Sequence, residues 1–193
     1  MHDCDHPCIR LGIKYLSEFS KYYRFKLHSW LTLNSCYAIN TMVQVVVIRH
    51  PKERKSKCTL APLHKQTGIT FFNAHESFRF DATDYILLTL DAPLLTAQDS
   101  GHPILILDST WRLIPQLESC IVGNPLHRTL PGNIITAYPR ISKIFKDPEG
   151  GLASIEALYV AMKILGEDKP SLLNAYHWKE QFLSGLLHTQ SAK

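Results

Sequence analysis

An acid, two hydroxyls and a tryptophan close the run Ile104-Leu105-Ile106-Leu107-Asp108-Ser109-Thr110-Trp111. The four apolar residues read as a strand buried on both faces. In open α/β sheets, ligands bind at the carboxyl ends of such strands. An aspartate there sits where its environment can tune its pKa, and Trp111 offers a large ring to a ligand. The same residues also suit a helix start, since Asp, Ser and Thr all cap helices and Trp111 could fill a core.

Three further polar clusters stand at the ends of apolar runs. One follows Ile48: Arg49-His50-Pro51-Lys52-Glu53-Arg54-Lys55-Ser56-Lys57. Another is the turn Asp91-Ala92-Pro93 after Leu90, and the last is Gly150-Gly151-Leu152-Ala153-Ser154-Ile155-Glu156. In a parallel sheet such ends share one edge, so the pieces can converge on one pocket. A helix starting near Ser154 and Glu156 would offer unpaired N–H groups suited to a carboxylate, or simply be a capped helix after a Gly-Gly turn. His50 is a candidate base. Cys58 and Cys120 lack the paired histidine of a nucleophile and read as small buried hydrophobes. GxGxxG, Walker, HExxH and GxSxG patterns are absent from the sequence.

The elements that must position these clusters follow from periodicity. β-Branched and apolar runs predict strands over 43–48, 69–72, 85–90, 104–107 and 134–137. Residues 58–63 suggest a helical turn broken or kinked by Pro62, and 110–120 a helix with Pro115 in its first turn. Leu152, Ile155, Leu158, Tyr159, Met162 and Leu165 mark one helical face, stopped at Gly166. A last helix is expected from Pro170, with Leu172, Leu173, Tyr176, Leu183, Leu186 and Leu187 on one side. Strands alternating with helices predict an α/β fold, a mainly parallel sheet flanked by helices.

At 193 residues, with 45% apolar and 20% charged residues, the chain suits one soluble domain with a real core. No apolar run approaches the ~20 residues that span a bilayer, so no membrane partner is expected. Nor does the N-terminus resemble a signal peptide. Five cysteines form neither a disulfide framework nor paired zinc knuckles, which points to a reducing cytoplasm and no metal. The net charge of +4 is unevenly spread. Six Lys/Arg against one acid lie between Arg49 and Lys65, whereas 80–111 hold five acids and no Lys or Arg. A polyanion would feel that positive side. Residues 1–41 differ in character, and Met42 stands directly before the first clear strand. The expectation is an N-terminal extension over 1–41, an upstream start before Met42, and a single domain over 42–193.

Asp108-Ser109-Thr110-Trp111 resembles the motif of the DTW-domain family, in which an Asp, a variable residue, Thr and Trp follow a buried strand. His50-Pro51-Lys52-Glu53 with Thr59 is similar to that family's His-Pro-x-Glu…Thr loop. Tyr138-Pro139-Arg140-Ile141-Ser142-Lys143 before Gly151-Leu152-Ala153-Ser154-Ile155-Glu156-Ala157 resembles its Tyr-x-Arg…Leu-Ser-Thr-x-Glu-Ala segment. Tyr176-His177-Trp178 is similar to the related ribosome-biogenesis aminocarboxypropyltransferases. Two features depart from the pattern: the four-cysteine zinc module of the tRNA enzymes is not matched, and Ser109 replaces the usual glycine.

The resemblance implies a SPOUT-like fold with a C-terminal trefoil knot and an S-adenosyl-L-methionine pocket. It also implies transfer of the 3-amino-3-carboxypropyl group to a uridine in RNA, tRNA rather than rRNA. On that basis Asp108 is the expected general base, and Trp111 packs near the sulfonium with a cation–π contribution of ~1 kcal/mol. Thr59, Leu90, Pro93, Ser109, Thr110, Leu152, Ser154 and Glu156 are expected around the cofactor. Arg49, His50, Lys52, Arg54, Lys55, Lys57, Arg112, Arg140 and Lys143 are expected at the RNA phosphates, giving salt-dependent binding. The alternatives are a SPOUT-type RNA methyltransferase and a non-catalytic RNA-binding or assembly factor with the same fold.

Overall fold

The computed structural model describes residues 43–54, 58–139, 148 and 150–191, with side chains up to 187. The expectations for 1–41 lie outside the described residues.

Three strands carry the alternation that builds two faces at once: β1 (Val45–Arg49), β2 (Ile69–Asn73) and, after a two-residue β3 (Phe80–Asp81), β4 (Ile86–Leu88). They are joined by β5 (Ile104–Asp108), β6 (Ile121–Val122) and β7 (Leu126–Arg128). The main sheet has the order β2-β1-β5-β4-β7 and is parallel throughout, while β3 and β6 pair separately. Side chains alternate across a strand, so Val45, Val47, Ile104 and Ile106 enter one core and Val46, Ile48 and Leu105 the other. Each fully buried aliphatic contributes about 1.5–3 kcal/mol. Both faces are covered, as a parallel sheet requires.

The helices follow their local signals closely in two places. A 3-10 turn over Trp111–Leu113 leads into α1 (Ile114–Glu118), and Pro115 sits in the first turn, where its missing N–H costs nothing. α2 (Ser154–Ile164) buries Ile155, Leu158, Tyr159 and Met162. It ends where Gly166, at φ +95°, donates to Lys163 O while Glu167 N donates to Met162 O at 2.8 Å. That pair of bonds is a Schellman stop.

Other expectations give way. Residues 134–137 form no strand: Ala137 N and the Thr136 hydroxyl donate to the Glu156 carboxylate, so a buried acid replaces a ladder partner. The strand expected over 85–90 narrows to Ile86–Leu88. β3 and β6, at two residues each, are too short to show a period. Pro62 opens the 3-10 helix Ala61–Lys65 rather than breaking it. The C-terminal helix divides into a 3-10 turn (Pro170–Leu173) and α3 (Lys179–Ser191); Phe182 enters the core and Leu187 is exposed. The path through 140–147, needed to judge a knot, lies outside the described residues.

The topology marks one position above the others. From β1 the chain crosses to β2 on one side, whereas from β5 it crosses past β4 to β7 on the other. The carboxyl ends of β1 and β5 therefore flank a topological switch point, where open α/β sheets bind ligands. The residues that end these strands, Arg49 and Asp108, are register partners.

Candidate active site

Asp108 ends a strand hydrogen-bonded on both sides, and it is buried at 4% exposure. A carboxylate there needs partners, and it has them. Arg49 Nε donates to Oδ2 at 3.1 Å, the Cys58 thiol donates to the same oxygen at 2.9 Å, and the Ser154 hydroxyl donates to Oδ1 at 3.0 Å. Ser154 opens α2, and the next residue, Ile155, donates its N–H to the Thr59 hydroxyl at 3.3 Å. Thus Thr59, Asp108 and Ser154, far apart in the chain, come together at one edge.

Arg49 is equally enclosed. Its guanidinium reaches the Cys58 sulfur at 3.0 Å and His64 Nε2 at 3.1 Å, and lies 5.4 Å from the centre of the Phe71 ring. Guanidinium only donates, so His64 Nε2 accepts and its proton sits on Nδ1. Burial works against the charge on Arg49, but the hydrogen bond and field of Asp108 outweigh it and hold the guanidinium above its ordinary pKa. Burial, and next the Asp108 carboxylate, push the Cys58 thiol up to about 12. Cys58 is therefore a hydrogen-bond donor at neutral pH, not a nucleophile. Cys58 is buried in the core as expected, and its sulfur is in addition part of the aspartate's shell.

Two predicted RNA ligands are corrected. Arg49 (2% exposed) and His50 (5%) are interior groups, because β1 stays paired on both flanks through its last residue. His50 Nδ1 accepts the Lys52 N–H, so Nε2–H donates to Gln116 Oε1 at 2.9 Å, tying the loop to α1. Lys52, Arg54 and Arg112 are exposed. Lys55, Lys57, Arg140 and Lys143 lie outside the described residues.

Glu53 stands at the rim of the same edge. Its Oε2 accepts the Thr110 N–H at 3.2 Å, two residues beyond Asp108. Burial and the nearby Asp108 charge raise its pKa, against the Thr110 N–H, Arg49 and His50.

Glu156 does not face this edge openly. It is fully buried and accepts from Thr136 Oγ1, Ala137 N, Ala153 N and Tyr176 OH. It binds the neighbouring 134–137 segment to the start of α2, a bracing role rather than a ligand contact. Tyr176 and Tyr138 pack edge-on to Trp178, at 5.7 and 5.1 Å between ring centres. A cavity of about 280 Å³ opens beside that segment, lined by Gly132, Ile134, Ile135, Thr136, Gly150 and Gly151, among others. Leu152 is half-buried after it, and Pro93 lies on the exposed loop whose carbonyl accepts the Thr129 N–H at 2.9 Å. Leu90 and Trp111 are half-buried, and Thr110 is exposed. Two hydroxyl oxygens, Thr89 Oγ1 just past β4 and Ser109 Oγ just past β5, are buried with no hydrogen-bond partner among the described residues. Polar atoms in that state call for a ligand or water.

Cys58, His64 and Thr89 are residues of this edge that motif reading did not assign to it, and Arg49 was assigned to phosphates rather than to Asp108. A usable signal existed for that pairing: Arg49 and Asp108 each close a strongly apolar strand with opposite charge. Among the described residues, no cluster of three His, Cys, Asp or Glu is placed to hold a metal ion, and no helix is long and apolar enough to cross a membrane.

The fold is shared with a solved structure, the SAM-dependent rRNA:acp-transferase Tsr3 from Vulcanisaeta distributa. The TM-score is 0.58 at 22% sequence identity, over 77% of this chain and 82% of that one. No family model and no curated protein sequence matches the chain.

Proposed function

We propose that this chain transfers the 3-amino-3-carboxypropyl group of S-adenosyl-L-methionine to a uridine in RNA, with tRNA as the first substrate to test. The observation that carries the reading is the meeting of Thr59, Asp108 and Ser154 at the sheet's switch point. The Tsr3-like fold supports it.

The residues present fit the cofactor. The hydroxyls of Thr89 and Ser109, unpartnered among the described residues, suit its ribose and amino groups. The backbone N–H of Ser154, opening an 11-residue helix, suits its carboxylate, the hydroxyl being held by Asp108. Leu90, Pro93, Thr110, Trp111 and Leu152 would complete the enclosure. When bound, the sulfonium supplies an electrophilic carbon with a neutral thioether as leaving group. The chain's task is then orientation, keeping water out and accepting one proton. Lys52, Arg54 and Arg112 would meet phosphates, together with Lys55, Lys57, Arg140 and Lys143. A cytoplasmic setting belongs to the same proposal.

Calorimetric titration with S-adenosyl-L-methionine, followed by incubation with tRNA or rRNA and chromatography of the products, tests this reading. 5′-Methylthioadenosine is the expected product, and the RNA that supports its release identifies the substrate. S-adenosylhomocysteine instead would mean methyl transfer, and absence of cofactor binding would remove the transferase reading altogether.

A further inference from the structure

We propose that the Glu53 carboxylate, and not that of Asp108, takes the proton from the nucleophilic ring nitrogen of the RNA base; this rests on the transferase reading above.

Asp108 is spoken for. Three donors occupy its two oxygens, its side chain is buried, and one of those donors is the equally buried Arg49. A carboxylate offers about four acceptor positions. Loading a proton onto Asp108 would cancel its charge and leave the guanidinium uncompensated in the interior, a heavy penalty. Its geometry is that of a tie between β1, β5, the Cys58 turn and the start of α2.

Glu53 has the opposite surroundings. It is half-buried, at the end of a turn closed by its own N–H to His50 O at 3.0 Å. The Thr110 N–H anchors Oε2, and among the described residues no other hydrogen bond involves the carboxylate. One oxygen is thus held and the other takes no hydrogen bond among the described residues, two residues along from the motif's aspartate. The charged and titratable groups that bear on it are Asp108 from β5 and Arg49 and His50 from the end of β1. One carboxylate is enclosed by three donors and the other is held by one, so the two differ in how readily a substrate N–H can reach them. The raised pKa of Glu53 agrees with its taking the proton.

The step balances. Glu53 accepts the N–H proton of the uridine. The freed nitrogen pair forms a bond to the carbon next to sulfur, and the C–S bond breaks with its electrons going to sulfur. Neutral methylthioadenosine leaves, and Glu53–H returns its proton to solvent.

The test compares wild type with Glu53→Gln, Glu53→Asp and Asp108→Asn. Glu53→Gln keeps the acceptor for Thr110 N–H, and equal melting curves and equal cofactor affinity are expected. Its kcat for methylthioadenosine release should fall about 10²–10⁴-fold, the usual loss on removing a general base. The residual rate should climb tenfold per pH unit where wild type is flat, because hydroxide then removes the proton, and Glu53→Asp should recover part of the loss. Independently of turnover, the ¹³C carboxyl signal of Glu53 in the cofactor-free protein should titrate above the ordinary glutamate range and move downward in Asp108→Asn. Wild-type turnover by Glu53→Gln overturns the assignment, as does the hydroxide-dependent profile appearing in Asp108→Asn alone, or a Glu53 signal insensitive to Asp108. A wild-type protein that forms no methylthioadenosine overturns the transferase reading and this assignment with it.

Discussion

At the scale of single residues, the Asp108 shell is a closed electrostatic unit. Both partners of the Arg49–Asp108 pair are almost wholly out of water, with side chains 3% and 6% exposed. Truncating one partner leaves the other charge stranded, which costs about 3–5 kcal/mol. Asp108→Ala should lower the urea midpoint accordingly, while Arg49→Met combined with Asp108→Leu should recover much of that loss. A midpoint for Asp108→Ala within error of wild type would mean that the pair is not buried in solution. Cys58 obeys the same logic. A thiol pushed up to about 12 is protonated at pH 8 and should resist iodoacetamide in the native protein, reacting normally once unfolded. Peptide-resolved alkylation reads this directly. The sign follows from the raised pKa: its stabilising contribution is complete below the ordinary thiol value of about 8.5 and is lost as pH rises through about 12.

At the scale of elements, the ends matter more than the middles. Gly166 and Gly123 both hold a left-handed backbone, at φ +95° and +84°. A Cβ at Gly166 would meet nothing within 4 Å, whereas one at Gly123 would run into Asp81 Oδ1 and Thr83 Oγ1. Gly166→Ala should therefore cost only the backbone term, about 1–2 kcal/mol. Gly123→Ala should cost clearly more, because it also breaks the Asp81–Thr83 turn that β6 packs against. Thermal melts of the two variants decide it, and equal losses would contradict the account. Glu156 shows how one element end organises another: a carboxylate at the start of α2 supplies the acceptors for 136–137, which a strand would otherwise have provided.

At the scale of the whole molecule, the parallel sheet brings strand ends to one edge, and long loops must be pinned to hold that edge in shape. The loop between β4 and β5 is pinned by Asp99, which accepts from Thr96 N at 2.9 Å and pairs with Arg128 of β7 at 2.7 Å. The Arg128 hydrogen bond holds the Asp99 carboxyl below its ordinary range. A depressed folded-state pKa stabilises above the unfolded value of about 3.9, and that contribution disappears as pH falls through the folded value. Asp99→Asn should lower the melting temperature at pH 7, and the difference from wild type should shrink as pH falls below the ordinary aspartate value and vanish once the folded-state carboxyl is protonated. A difference that persists unchanged in acid would assign the loss to packing rather than charge.

The sequence by itself determined what local pattern can carry. The β-branched run before Arg49 and the apolar run before Asp108 specified two buried strands, the spacing from Leu152 to Leu165 specified α2, and Gly166 its end. Alternation of these elements specified a parallel α/β sheet and placed Asp108 at the carboxyl edge of its strands. Only the tertiary structure decided which groups surround that aspartate. Arg49 is 59 residues away, Cys58 is 50 and Ser154 is 46, and no local period links them. A charged residue after a strand ordinarily signals solvent, so Arg49 read as a surface cation until the register set it beside an acid. Residues 134–137 read as a strand because β-branched residues favour one, yet a ladder needs a neighbour, and here Glu156 took its place. Side-chain periodicity is a property of adjacent residues. The fate of a backbone hydrogen bond or a buried charge depends on a partner brought close by folding, so it could be read only after folding was known.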